Sequence, residues 1–455
     1  MTDRPMPQVT ARLDRNPLNV SGGAVCHLVV EVTAPESGRE TPRTPLNLGL
    51  VVDASGSMDA GESELGFNEE FGRTRLDAAR SAGTKIVSQL EDGDTLSVVS
   101  FADEALTHVA ALPLGNGGRH AAVAGLAGLE TRGCTDLNAG WLKGAEHVAG
   151  HMATHPEGRN RILLLSDGHA NQGVIEPAVL ADTAAGLRAR GIYTSTVGIG
   201  LDYATEQLEV LAEYGGGMIH HAERAQDIVG VILAELEDMR GAVLDDVEVT
   251  LTTGHDDSAA NAPAPDITVV GLLSAQQDNF TTAHVGSLAS GSTRRVVFRL
   301  AFPATGLSGQ VPLTVSVAWR DAECTERSTA SCQVSLGVDQ HAKTSLEVET
   351  GTIVAEAWLA MVARRAMELN RMEDYHEARS WLRRQSADFS RYCRHLPGSR
   401  KLVGQMRRLC RSSVQPMQES SRKEITLSRY QHLKGVSDCR AAAPAWDSYL
   451  ELEGG

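Results

Sequence analysis

From Leu46 to about residue 238 the chain alternates short apolar runs with amphipathic stretches, and this alternation restricts the available folds more than any other feature. Leu48-Gly-Leu-Val-Val52 is almost continuously apolar, as in a strand covered on both faces. Leu76, Ala79, Gly83, Ile86, Val87 and Leu90 then recur at helical spacing, and Asp92-Gly93-Asp94 ends that helix. Strands follow at 95–101, 162–165 and 192–197, with helices at 137–148, 178–189, 205–214 and 225–237. Strand and helix in turn imply right-handed crossovers, and so a doubly wound, mainly parallel, Rossmann-like α/β sheet with helices on both faces. Ligands of such sheets bind at the carboxyl ends of the strands.

The flanks read differently. Residues 1–45 hold a β-rich run, Val25 to Val32, and then a loop rich in proline, glycine and charge. Residues 239–345 carry strand patterns: Val247-x-Val249-x-Leu251, Val296-Val-Phe-x-Leu300, and a strict alternation from Val311 to Trp319. This predicts an antiparallel β-sandwich short of strands, which the N-terminal run would complete, with the α/β domain of residues 46–238 inserted in it or flanked by it. Residues 346–455 turn helical. Ile353, Ala357, Trp358, Met361, Val362 and Leu369 form one face, and a second helix carries Tyr375, Ala378 and Leu382. Further helix is expected to about Leu409, with less order after Ser412 and an acidic tail.

The chain has 455 residues, 42% of them hydrophobic, enough for more than one core. No run of about twenty apolar residues is present, and Met1 to Leu13 holds charges where a signal peptide would be apolar, so the expectation is a cytoplasmic protein without a membrane partner. Seven cysteines without a CxxC pair fit a reducing compartment. Cys324 with Cys332 across a hairpin, and Cys393 near His395, are the nearest to pairs; free thiols are expected at both. The net charge is −16, yet residues 351–440 hold 18 Lys and Arg against 9 Asp and Glu. That basic segment is read as a helical surface docked on the acidic remainder; an acidic protein face or nucleic acid is the alternative, with no nucleic-acid motif beside it.

Three short loops share one end of the expected sheet: Asp53-Ala-Ser55-Gly-Ser57, Cys134-Thr135-Asp136, and Ser166-Asp167-Gly168. They bring hydroxyls and carboxylates to one point, an all-oxygen set suited to a hard octahedral cation: magnesium by default, with manganese or calcium as substitutes. Asp136, just before Leu137, is either an extra carboxylate at that point or a helix N-cap. His169 is a partner contact or a solvated loop residue. The 59–73 stretch carries Asp59, Glu62, Glu64, Glu69 and Glu70, and is either an acidic lid over the site or a solvated insertion.

These motifs, Val52-Asp53-x-Ser55-x-Ser57-Met58, Gly133-Cys-Thr135-Asp and Leu165-Ser-Asp167-Gly, resemble the metal-ion-dependent adhesion site of von Willebrand factor type A domains. Asp94 to Ala102, Thr196 to Gly200 and Leu208 to Ile219 are similar to the same family, and the resemblance covers roughly residues 46–238. It implies that Ser55 and Ser57 are direct ligands, that Thr135 is a direct or water-bridged one, and that Asp53 and Asp167 act mostly as acceptors orienting waters. One coordination position is left for an Asp or Glu of a protein partner. Cys134 stands where the family often has glycine, and Asp136 where asparagine is common. Leu244 to Val249 and His284 to Arg294 are similar to bacterial type A proteins and, more distantly, to inter-alpha-trypsin inhibitor heavy chains.

The expected function is a metal-dependent adaptor in a cytoplasmic multi-protein complex and not an enzyme. No GxxxxGK[ST], HExxH or GxSxG motif is present. A regulatory or chaperone-like subunit of an enzyme complex, working with a separately encoded ATPase, is the alternative the family implies. A metal-dependent hydrolase lacks a general base beside the serines. The tail, Tyr449 to Gly455, is read as a disordered acidic end. Asp447, Glu451 or Glu453 reaching a neighbouring molecule's metal site would give self-association, and the terminal Gly454-Gly455 also has the look of a conjugation tail.

Overall fold

The computed structural model describes residues 6–418 apart from 37–43, 60–73, 169–171, 201–204, 223–224, 254–264, 273, 278–279, 305–308 and 322–326, together with 421, 422 and 425. The 60–73 part of the acidic stretch, His169, Cys324, Cys439 and the Gly-Gly tail lie outside the described residues. The chain begins with strands β1 (Gln8–Leu13) and β2 (Ala24–Thr33). The α/β unit then runs β3 (Leu46–Asp53), α1 (Arg75–Gln89), β4 (Thr95–Phe101), β5 (Ala105–Pro113), α2 (Gly118–Ala127), α3 (Leu137–Met152), β6 (Arg159–Ser166), α4 (Pro177–Ala189), β7 (Ile192–Ile199), α5 (Thr205–Tyr214), β8 (Gly216–Ala222) and α6 (Ala225–Gly241).

Its six strands lie in the order β5-β4-β3-β6-β7-β8, all parallel except the antiparallel edge strand β5. Every residue of β3, β4, β6 and β7 is buried, which is why those segments read as continuous apolar runs. Alternate residues feed opposite cores. Leu48, Leu50 and Val52 pack with Leu76 and Ile86 of α1 and Ile232 of α6, while Val51 packs with Leu137 and Trp141 of α3. Sequence periodicity did not show β5, α2 or β8. Most of β5 is partly exposed, α2 follows Gly117, which has no side chain with which to cap it, and β8 opens on two glycines.

Seven further strands follow: β9 (Ala242–Thr253), β10 (Asp266–Val270), β11 (Ser274–Gln277), β12 (Phe280–Ala289), β13 (Thr293–Phe302), β14 (Gly309–Asp321) and β15 (Arg327–Val338). They form two antiparallel sheets, β1-β2-β13-β10 and β11-β12-β9-β14-β15. The N-terminal β2 pairs with β13 along ten residues, so the chain's first strands belong to this part of the molecule. Val30 and Phe298 of one sheet and Leu251 and Val315 of the other share a single core. Helices α7 (Val348–Arg371), α8 (Tyr375–Tyr392) and α9 (Ser399–Ser412) cover the outer face of the first sheet, where Val29, Val270 and Val297 meet Val354, Val362 and Phe389. None of the helices among the described residues is long and apolar enough to cross a membrane.

Candidate metal centre

Asp53 is the last residue of β3 and Ser166 the last of β6, adjacent parallel strands at the centre of the sheet. From β3 the chain goes to β4 on one side and later to β6 on the other. The crevice above β3 and β6 is therefore the topological switch point, where open α/β sheets bind ligands.

Asp53 is fully buried and both carboxylate oxygens are engaged: Ser55 N donates to Oδ1 at 2.8 Å and Ser166 Oγ to Oδ2 at 2.6 Å. The first bond folds the Asp-x-Ser turn back on itself, so that Ser55 and Ser57 emerge on one side. Burial pushes the Asp53 carboxyl up to about 6; the Ser166 and Ser55 hydrogen bonds work the other way, and the Asp167 charge adds to the rise. A cation in the crevice would favour the ionised form that burial penalises.

Ser55 Oγ lies 3.0 Å from Ser57 Oγ, and Ser57 Oγ donates to Asp167 Oδ1 at 2.6 Å. The loop carrying Thr135 is held beside them. Arg132 N donates to Ala54 O and Gly56 N to Gly133 O. Cys134 N donates to Asp103 Oδ1 at 2.8 Å. Gly133 accommodates this contact, because a Cβ there would sit 1.6 Å from Asp103 Oδ2. Gly168 closes the ring: a Cβ would lie 3.6 Å from Ser57 Oγ and 3.7 Å from Thr135 Oγ1, so both hydroxyls border the same point. Asp53, Ser55, Ser57, Thr135 and Asp167 are thus brought together.

Asp136 has a different role. It is the N-cap of α3, accepting from Ala139 N at 2.9 Å. Its charge sits on the helix N-terminus, and the extra-carboxylate reading is replaced by a capping one. Cys134 is exposed, and the five described cysteines are free.

Sequence reasoning missed Arg75. Its Nη1 lies 2.7 Å from Asp167 Oδ2, with the Asp167 side chain wholly buried and Arg75 24% exposed. It also left Ser166 out of the site, although the hydroxyl stood in the quoted motif. Arg75 and Asp167 are 92 positions apart, a separation with no local signature; the nearest clue was a cation on the first turn of a helix, against the macrodipole.

The donor set suits a hard cation. Adjacent ligands of an octahedron with bonds of about 2.1 Å lie about 3.0 Å apart, which is the separation of the two serine hydroxyls. Among the described residues no group of three or more His, Cys, Asp or Glu is placed to hold a metal, so the hydroxyls carry this candidate site.

Residues 48–169 match the family model of the von Willebrand factor type A domain. Two uncharacterized curated proteins are each 27% identical: YfbK of Escherichia coli (strain K12) over 230 residues and sll0103 of Synechocystis sp. (strain ATCC 27184 / PCC 6803 / Kazusa) over 186. The matches take in 49% and 41% of this chain but only 36% and 39% of those relatives' own lengths. Among solved structures, the von Willebrand factor type A protein from Catenulispora acidiphila superposes with a TM-score of 0.66 at 17% identity, covering 90% of this chain and 91% of its own. The ArnB paralog VWA2 from Sulfolobus acidocaldarius gives 0.55 at 13%, covering 94% and 99%. At such identities the likeness is one of fold, and it reaches beyond the central sheet to nearly the whole chain. The central α/β unit of this protein thus has the fold of a von Willebrand factor type A domain, and its residues 48–169 carry the match to that family.

Proposed function

We propose that the chain is a metal-dependent protein–protein interaction subunit that binds a partner's carboxylate at the crevice above β3 and β6. The observation that carries the reading is the convergence of Ser55, Ser57 and Thr135 on one point, with Asp53 and Asp167 as hydrogen-bond acceptors behind them. In this reading Ser55 and Ser57 hold a divalent cation, Mg2+ first, through their oxygens, with Thr135 as a third donor. Asp167 accepts the hydrogen bond of the Ser57 hydroxyl, and Asp53 keeps the turn folded. The ion, when bound, supplies an electrophilic open position that an Asp or Glu side chain of another protein can fill. Free thiols, including the buried Cys26 and Cys393, support a reducing compartment such as the cytoplasm.

The test is affinity capture from native extract with magnesium, with a chelator, and with S57A and D53A in magnesium. Partners held through the metal leave together under chelation and in both variants. Retention of the same proteins in all conditions would overturn the proposal.

A further inference from the structure

We infer that Arg75, without touching the cation, sets the charge of this site: by neutralising Asp167 it makes the site hold a divalent cation loosely and leaves that cation net positive towards an incoming carboxylate. The inference rests on the reading of the crevice as a cation site.

Three observations converge on Arg75. It is the first residue of α1, behind the Thr74 capping box, where the helix macrodipole disfavours a positive charge. Its guanidinium occupies the space a side chain at position 200 would need: a Cβ on Gly200 would come 2.6 Å from Nη2 and 2.9 Å from Cζ, and φ there is +73°. Glycine there removes the one atom that would push the guanidinium away. Finally, Arg75 ends on Asp167 Oδ2, at 2.7 Å, and so on one of the carboxylates behind the candidate donors.

Asp167 has holds besides Arg75. Its other oxygen is fixed by Ser57 Oγ at 2.6 Å, and it follows directly on Ser166, which is in register with Gly198 of β7. What Arg75 adds is charge. Asp53 and Asp167 together balance a divalent cation; with the guanidinium included, one positive charge is left over. Asp136 offsets it only in part, because its carboxylate faces the positive N-terminus of α3. The ion pair thus weakens attraction for the metal and strengthens the metal's attraction for a partner's carboxylate.

The experiment is a Mn2+ titration of the full chain, followed by water-proton relaxation enhancement, on wild type, R75Q, R75M and R75K. Acetate is then added as the carboxylate probe. A neutral residue at position 75 is expected to tighten Mn2+ binding about tenfold and to weaken the loss of relaxation enhancement on adding acetate. R75K, which keeps the charge, is expected to stay within about threefold of wild type. Melting in metal-free buffer identifies the neutral variants that keep the fold. Mn2+ binding that is unchanged or weaker in a folded neutral variant overturns the inference and leaves the cation site standing, as does failure of both R75Q and R75M to fold. Absence of Mn2+ binding by the wild type overturns the cation site itself.

Discussion

Each side chain of the candidate centre combines a structural task with a binding one, and the two separate differently from residue to residue. Asp53 is fully buried and accepts from Ser55 N and Ser166 Oγ, so D53A strands two donors as well as changing the site. Its removal is expected to cost about 1–3 kcal/mol of stability. Ser57 is exposed, and its hydroxyl contacts Ser55 and Asp167 at the rim. S57A is therefore the cleaner probe: calorimetric titration with Mg2+ or Mn2+ should show binding weakened at least about tenfold. Thermal unfolding in chelator should stay close to wild type, as expected for an exposed hydroxyl. A variant with normal metal affinity would remove Ser57 from the ligand set.

At the scale of elements, α3 shows how the sheet and the site are built together. It approaches β3 and β4 closely because it offers glycine there: a Cβ at Gly144 would lie 2.4 Å from Val51 Cγ2, and one at Gly140 2.5 Å from Phe101 Cβ. G144A is expected to destabilise by about 1–3 kcal/mol in chemical denaturation, as overpacking does. Gly150 of the same helix has nothing within 4 Å, and G150A is expected to stabilise by about 0.5–1 kcal/mol. Equal effects at the two positions would contradict this packing.

Among the antiparallel strands, Glu248 of β9 accepts from His284 Nδ1 of β12 at 2.9 Å and from Arg327 Nη2 of β15 at 2.8 Å. Burial alone would raise its carboxyl, but these partners hold it down at about 2. With the folded value below the ordinary one, its stabilisation is present above about pH 4.5 and is lost as pH falls towards 2. Denaturation at stepped pH should show a shallower acid loss in E248Q than in wild type.

Legibility in the sequence followed the same physics. β3, β4, β6 and β7 announced themselves because both faces are covered, and the Asp-x-Ser-x-Ser turn because its parts are adjacent in sequence. β5 and α2 gave weak periodicity because each is only partly buried. The Arg75–Asp167 pair was hidden because tertiary structure alone joins its members.

Across the whole molecule, β6 joins two functions at its two ends. Its last residue, Ser166, supports the candidate centre, while Arg161 near its start pairs with Asp245 of β9, with Ser287 Oγ donating to the same carboxylate at 2.7 Å. Five residue steps of about 3.3 Å place these points about 16 Å apart. The flanking sheets thus grip the α/β unit at the end away from the crevice. Beside that pair, Arg327 approaches Asp246 at 3.2 Å and Arg320 at 3.7 Å, and α6 passes into β9 without a linker. Arg161 and Asp245 are both at most 10% exposed, so removing one partner leaves a buried charge uncompensated. D245A is expected to lower the stability of the metal-free protein by about 3–5 kcal/mol, and the R161M/D245L pair to recover much of it. Metal affinity should stay within about twofold of wild type in D245A, because the site's donors are positioned by the opposite end of the strand, about 16 Å away. A large fall in Mn2+ affinity in D245A, in protein that remains folded, would mean that the flanking sheets and the candidate centre are coupled through β6.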